Sequence, residues 1–168
     1  MNSKVIVDTN LNLYKSKFGV MGNVVSVFDL KEASENCVNS INSLLKQLSS
    51  SQFCFTINDL QEIVDSPSVH LFMAECSGVM AGMLTLAQYP APTGRKWWIE
   101  DVVVDEAFRG NSIGRMLVDH AIGFVRKSGS GTLMLTSRSS RIAANALYRS
   151  CGFEQKETNV YRMKINEK

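Results

Sequence analysis

The stretch Val102–Leu117, read VVVDEAFRGNSIGRML, narrows the fold more than any other part of the chain. A β-branched run, Val102, Val103 and Val104, stops at Asp105, and a short acidic turn follows. Through Arg109-Gly110-Asn111-Ser112-Ile113-Gly114 the apolar spacing changes from strand-like to helical. The order is strand, glycine-containing loop, helix N-terminus. Amides in such a loop and in the first helical turn lack carbonyl partners within the helix. They sit at the positive end of its dipole, which suits a phosphate or pyrophosphate.

The rest of the chain is read around that anion site. Its 168 residues predict a single domain with a proper core. No run approaches the roughly 18 apolar residues of a membrane span, and MNSKVIVDTN has no signal-peptide core. Cys37, Cys54, Cys76 and Cys151 are scattered, without a CxxC pair or a histidine at metal-ligand spacing. They predict reduced thiols in a cytoplasmic protein and no metal site. The net charge of +2 hides an asymmetry: residues 1–108 carry 7 Lys and Arg against 12 Asp and Glu, residues 109–168 carry 11 against 4. A basic half for a polyanionic ligand and an acidic half for a cationic one is one reading; unevenly scattered solvated charge is the other. Nucleic acid is disfavoured, because no Lys/Arg cluster is interleaved with aromatics.

Residues 1–22 read as an N-terminal extension, with Val5-Ile6-Val7 and Leu11–Tyr14 as short strands or surface packing and Gly19 and Gly22 as turns. A strand is expected at Val24–Phe28 and a helix over Lys31–Gln47 with a Cys37, Ile41, Leu44, Leu48 stripe. Thr56 with Asp59 reads as a cap and its reciprocal partner opening a second helix, which Ser66-Pro67 ends. Val69–Cys76 and Val79–Tyr89 flank the two-residue turn Ser77-Gly78. Strand Lys96–Val104 leads into the opening motif, whose helix runs to about Arg126 with Ile113, Leu117, His120 and Phe124 on one face. A strand at Leu133–Thr136, a helix at Ser140–Ser150 and a closing strand at Val160–Ile165 complete an α/β order with an antiparallel meander.

The loop is not a nucleotide P-loop, since no Gly-Lys-Ser/Thr follows, and it lacks the GxGxxG spacing of a dinucleotide fingerprint. Alone it would also serve as a plain structural turn. Two further features bear on it. The strand WWIEDVVV sets Glu100 and Asp101 in an apolar run, where buried carboxylates are costly unless paired or functional. The segment Ala143–Phe153 is an Ala-rich helix that ends Tyr148-x-x-x-Gly152-Phe153.

Together these features resemble the GCN5-related N-acetyltransferase (GNAT) superfamily over about residues 24–165. Its cofactor loop reads Gln/Arg-x-x-Gly-x-Gly/Ala, and its later helix ends Leu-Tyr-x-x-x-Gly-Phe. Ser112 stands at the first glycine of that pattern, and Arg141 stands where many members carry asparagine; Asn145 is a substitute for the latter. The resemblance implies a mixed, mostly antiparallel sheet of about 6–7 strands, splayed between the fourth and fifth, with about 4 helices. It implies acetyl-CoA as donor, pantetheine along Val102–Val104, an oxyanion donor near Val103, and pyrophosphate on the amides of Arg109, Gly110, Asn111, Ser112, Ile113 and Gly114. Tyr148 would protonate the leaving thiolate.

Glu100 shares strand parity with Trp98, Val102 and Val104, and serves as base for the amine, as its anchor, or as a structural acid. Asp101 faces the other way unless a bulge rotates it. The run Ile99–Val104 also looks like the equivalent strand of glucosamine-phosphate N-acetyltransferases. Trp98 and Tyr161 are expected at the acceptor, with Arg162 beside the latter; Trp97, His120 and the methionines read as core, and His70 as a sheet-edge residue. The expectation is an N-acetyltransferase acting on a small-molecule, amino-sugar or peptide amine, with no nucleic-acid or membrane partner and a homodimer left open. The alternatives are a catalytically idle acyl-CoA-binding module of the same fold and a phosphate-binding regulatory domain.

Overall fold

A computed structural model of the chain describes residues 5–8, 13–17, 24–49 and 54–165. Its strands are β1 (Val5–Asp8), β2 (Leu13–Lys17), β3 (Val24–Asp29), β4 (Val69–Cys76), β5 (Val79–Tyr89), β6 (Lys96–Val104) and β7 (Thr132–Leu135). They form one sheet in the order β1-β2-β3-β4-β5-β6-β7, antiparallel throughout except for the parallel pair β6–β7. The helices are α1 (Glu35–Leu48), α2 (Ile57–Asp65), α3 (Ile113–Ser128) and α4 (Ile142–Ser150), with a 3-10 turn at Glu106–Phe108.

Local chemistry sets the boundaries. Ser34 accepts the Cys37 amide at 3.3 Å, so α1 starts at Glu35 and not at Lys31, and its buried stripe is Val38, Ile41, Leu44 and Leu45. Thr56 and Asp59 form the expected reciprocal cap, with the Thr56 amide donating to Asp59 at 2.8 Å. Ser77 and Gly78 both take positive φ, 51° and 82°, the backbone of a tight hairpin whose twist matches its strands.

Two apolar layers cover the sheet. On one face Phe72, Leu84, Leu86, Trp97 and Ile99 pack with Leu117, Val118 and Ala121 of α3 and with Tyr148 of α4. On the other, Leu71, Met73, Met83 and Val103 pack under Ile41, Leu44 and Leu60 of α1 and α2. The seven strands match the expected number with different members. The segment before Asn23 supplies the hairpin β1–β2, while Gly19 and Gly22 fall outside the described residues.

The closing strand expected at Val160–Ile165 does not form. Val160, Tyr161, Met163 and Ile165 are 73–89% exposed, and no ladder joins them to β7 among the described residues. Alternating apolar and basic residues satisfy strand periodicity, but a strand also needs a partner for its backbone groups.

A polar group is enclosed beneath α3. His120 is buried and lies edge-on to Phe72 at 4.6 Å. His70 Nδ1 stands 2.9 Å from Asp29 Oδ2, which Lys31 also contacts at 2.6 Å. Burial alone would raise the Asp29 carboxyl, but hydrogen bonds from His70 and Lys31 outweigh it and hold the group below its ordinary range. His120 goes the other way: loss of water lowers it to about 4, with Asp29 opposing and Lys127 adding to the shift.

The unfolded chain therefore binds a proton at His120 before the folded chain does. The stability tied to this ring is complete above the ordinary value of 6.5 and is lost as pH falls toward 4. The loss amounts to about 3 kcal/mol. Urea unfolding between pH 7.5 and 4.5 is expected to show that decline, and His120→Asn to flatten it. An unchanged slope in the variant would assign the decline to other groups.

Candidate active site

The site begins with a defect in β6. Met83 of β5 pairs with Val103 and Thr85 pairs with Glu100, so two steps on β5 face three on β6. The extra residue is taken up at Asp101, whose φ is 50°. This bulge reverses the facing of the strand. Trp97 and Ile99 point into the α3 layer, whereas beyond the bulge Val103 points to the α1–α2 layer and Val102 and Val104 point to α3. Glu100 therefore shares a face with Trp98 and Val103, and not with Val102 and Val104. Strand parity misplaces it because parity counts residues and a bulge adds one.

The second feature is a split in the sheet. Pairing of β6 with β7 ends at Ile99↔Leu135, while β6 continues to Val104. This is the splay expected between the fourth and fifth strands, counted without the β1–β2 hairpin. The Asp105 amide donates to the Ala81 carbonyl at 2.9 Å. By the two-residue alternation of an antiparallel ladder, Val103 also turns its polar groups toward β5. Val102 and Val104 then present theirs at the open edge, where Arg109 Nε donates to the Val104 carbonyl at 3.1 Å.

Beyond β6 the chain turns sharply into α3. Asp105 Oδ1 accepts the Ala107 amide at 2.9 Å, and Gly110 takes φ 81°. Asn111 donates its amide hydrogens to the Phe108 and Arg109 carbonyls, at 3.1 and 3.4 Å, and so serves the loop itself. Ser112 is the N-cap of α3 in the left-handed region, φ 60° and ψ 11°, and its hydroxyl makes no cap hydrogen bond. The Met116 amide reaches the Ser112 carbonyl at 3.0 Å, so the preceding amides of the turn have no helical carbonyl. Ile113 anchors that turn by burying its side chain, only 1% exposed. At Gly114 a Cβ would lie 3.3 Å from Leu147 and 3.6 Å from Val104, so the missing side chain lets the helix start lie close to β6 and α4.

A cleft of about 890 Å³ occupies the split. Its floor is Val102–Val104, one end is Arg109, Gly110, Ser112 and Gly114, and its far wall is α4 from Arg141 to Tyr148. Gln47 and Leu48 of α1 form the remaining side. Gln47 donates to Asp105 Oδ2 and accepts the Glu106 amide, both at 2.9 Å. No spacing in the sequence links α1 to this site, since both contacts span nearly 60 residues.

Tyr148 is 9% exposed, and burial pushes its phenol above the ordinary 10.0; the Arg141 charge opposes that push and Cys151 adds to it. Desolvation also raises the Glu100 carboxyl, the Trp98 hydrogen bond opposes this, and the charge of Asp101 adds to it. Asp101 is raised by desolvation as well. Trp98 and Met134 floor a smaller hollow of about 580 Å³, walled by residues 156–160. Tyr161 lies just beyond that wall and is 89% exposed. Asn145 points elsewhere: it donates to the Arg138 and Arg141 carbonyls at 2.8 and 3.0 Å, fastening the turn before α4. Among the described residues no group of three or more His, Cys, Asp or Glu is placed to hold a metal ion, and no helix is long and apolar enough to cross a membrane.

A model of the acetyltransferase (GNAT) family matches residues 39–153. The N-alpha-acetyltransferase RimI of Mycobacterium tuberculosis is 31% identical over 90 residues, 54% of this chain and 55% of that protein. The ribosomal protein bS18 alanine N-acetyltransferase of Escherichia coli is 40% identical over 55 residues, 33% of this chain and 37% of that protein. The chain thus spans about half the length of the first of these relatives and little more than a third of the second. Among solved structures, a putative acetyltransferase from Agrobacterium tumefaciens superposes with a TM-score of 0.73 at 26% identity, over 82% of this chain and 99% of that one.

The backbone at Ser112 carries a measurable cost. A non-glycine residue in the left-handed region gives up about 1 kcal/mol, and no cap hydrogen bond offsets it here. Ser112→Gly is expected to raise urea stability by up to about 1 kcal/mol, and Ser112→Val to lower it. A glycine variant less stable than the parent would show that the serine hydroxyl has a stabilising partner.

Proposed function

Since the chain belongs to the acetyltransferase (GNAT) family, we propose that it transfers an acetyl group from acetyl-CoA to a primary amine by direct attack in a ternary complex. The observation that carries this is one cleft joining three things: unpaired amides at a helix N-terminus, an open strand edge, and the buried Tyr148. The whole described chain is read as one catalytic domain.

The cofactor's pyrophosphate sits on the amides from Gly110 to Gly114, at the positive end of α3, since the Arg109 amide is given to the Glu106 carbonyl at 3.3 Å. Its pantetheine arm lies along the open edge of β6, where Val102 and Val104 supply the polar backbone groups. As the amine attacks the thioester carbonyl, charge grows on oxygen, and an amide of that edge donates to it. The carbon–sulfur bond then breaks, and the thiolate takes the Tyr148 proton. A thiol near 8.5 and a phenol near 10 make that transfer uphill by about 2 kcal/mol before the site acts on either. Burial of Tyr148 adds to the climb and also keeps the proton on oxygen until the thiolate forms.

Glu100 takes the amine proton, directly or through water, from the face of β6 it shares with Trp98. Trp98, with the hollow it floors, and Tyr161 beyond the wall are the acceptor side of this reading. An α-amine is the favoured acceptor class. Freeing one of its protons at pH 7 costs about 1.4 kcal/mol, against about 4–5 kcal/mol for a lysine-like amine. The names of the two enzyme relatives, both acting on α-amines or alanine, point the same way.

The test is thiol release from acetyl-CoA with a panel of amines, amino sugars and peptide N-termini. Tyr148→Phe is expected to lower kcat about a hundredfold with acetyl-CoA still raising the melting temperature, and Glu100→Gln to abolish the acidic limb of the pH profile. In the parent that limb lies above the ordinary carboxylate value of 4.5, because activity requires Glu100 ionised and desolvation holds its proton on. Stabilisation by acetyl-CoA without thiol release on any acceptor would favour the idle binding module instead.

A further inference from the structure

Arg141 occupies an unusual place. It is the N-cap residue of α4 but gives no side-chain cap to that helix. Its Nη2 instead donates 3.1 Å across the cleft to the Leu48 carbonyl, in the last turn of α1. That carbonyl is one of those an α-helix leaves unpaired at its negative end, where a guanidinium is well placed. The backbone of Arg141 is itself held, since its carbonyl accepts from both the Asn145 side chain at 3.0 Å and the Asn145 amide at 2.9 Å. Tyr148 follows seven residues later, two helical turns along the same side of α4, and lines the same cleft.

We infer that Arg141 is a positioning residue of the transfer step: seated on the C-terminal end of α1, it joins the two walls of the cleft and holds a fixed positive charge in the space where Tyr148 gives up its proton. The inference rests on the acetyl-transfer reading above. In the step concerned, the carbon–sulfur bond breaks with its electron pair on sulfur, sulfur takes the phenol hydrogen, and the phenolate is reprotonated from the proton the amine has released. The phenolate left on Tyr148 is an anion, and a cation that needs no reorganisation stabilises it as it appears. The direction of the electrostatic influence agrees, because the Arg141 charge opposes the effect of burial on the Tyr148 phenol.

The experiment is a double-mutant cycle on the full chain, read as kcat and KM for acetyl-CoA with the acceptor that gives the fastest thiol release. Arg141→Gln is expected to lower kcat about tenfold with a smaller change in KM, and Arg141→Lys, which keeps the charge, to recover most of it. In a Tyr148→Phe background the same Arg141→Gln change is expected to cost less than about twofold, because the proton it assists is gone. Arg141→Met, equally neutral and similar in length, replaces the glutamine variant if that one does not fold. An equal loss in both backgrounds, or a loss confined to KM, overturns the inference and makes Arg141 a cofactor contact or a simple brace. Full activity of Tyr148→Phe on its own overturns the proton-donor assignment beneath it, a result read from the single variant before Arg141 is touched.

Discussion

The cleft depends on one residue of β6 having no opposite number on β5. The bulge at Asp101 swings the end of the strand so that it leaves β7 and turns Val102 and Val104 toward α3 and α4. Gly82 makes this possible from the neighbouring strand. A Cβ there would stand 2.8 Å from the Val103 carbonyl and 3.3 Å from Leu117, so any side chain would push β6 off its course. The left-handed backbone at Asp101 is a local cost that the two apolar layers on either side of the sheet are able to hold in place.

Local signals predicted local structure well. The reciprocal Thr56–Asp59 cap, the Ser77-Gly78 turn and the strand–loop–helix unit at Val102–Leu117 are each decided by residues within a few positions of one another. The turn Arg109–Gly114 into α3 and the place of Tyr148 on α4 were legible for the same reason, since each belongs to a short pattern. What failed was long-range or counted by parity. Strand parity puts Glu100 on the wrong face because nothing in WWIEDVVV announces a bulge. The strand at Val160–Ile165 had the right alternation and no partner.

The uneven charge along the sequence also takes a spatial form. The late, basic part of the chain contributes Arg109, Arg115 and Arg141 to the cleft, the side on which a polyanionic cofactor would lie. The exposed carboxylates Glu100 and Asp101 come from the early, acidic part and sit at the bulge, where one strand separates the two regions. Desolvation raises both carboxyls, and the charge of Asp101 raises Glu100 further, so each holds a proton more readily than a free carboxylate.

Gln47 has a mechanical consequence. A sheet normally insulates the layer on one face from the layer on the other, because seven strands of hydrogen-bonded backbone do not yield to small displacements. Here a single amide side chain passes around the end of β6 and rivets the last turn of α1 to the Asp105–Glu106 corner. The helix of one layer and the loop of the other therefore share a hinge point. A displacement of the loop is transmitted to α1 along the rim of the sheet and not through its interior.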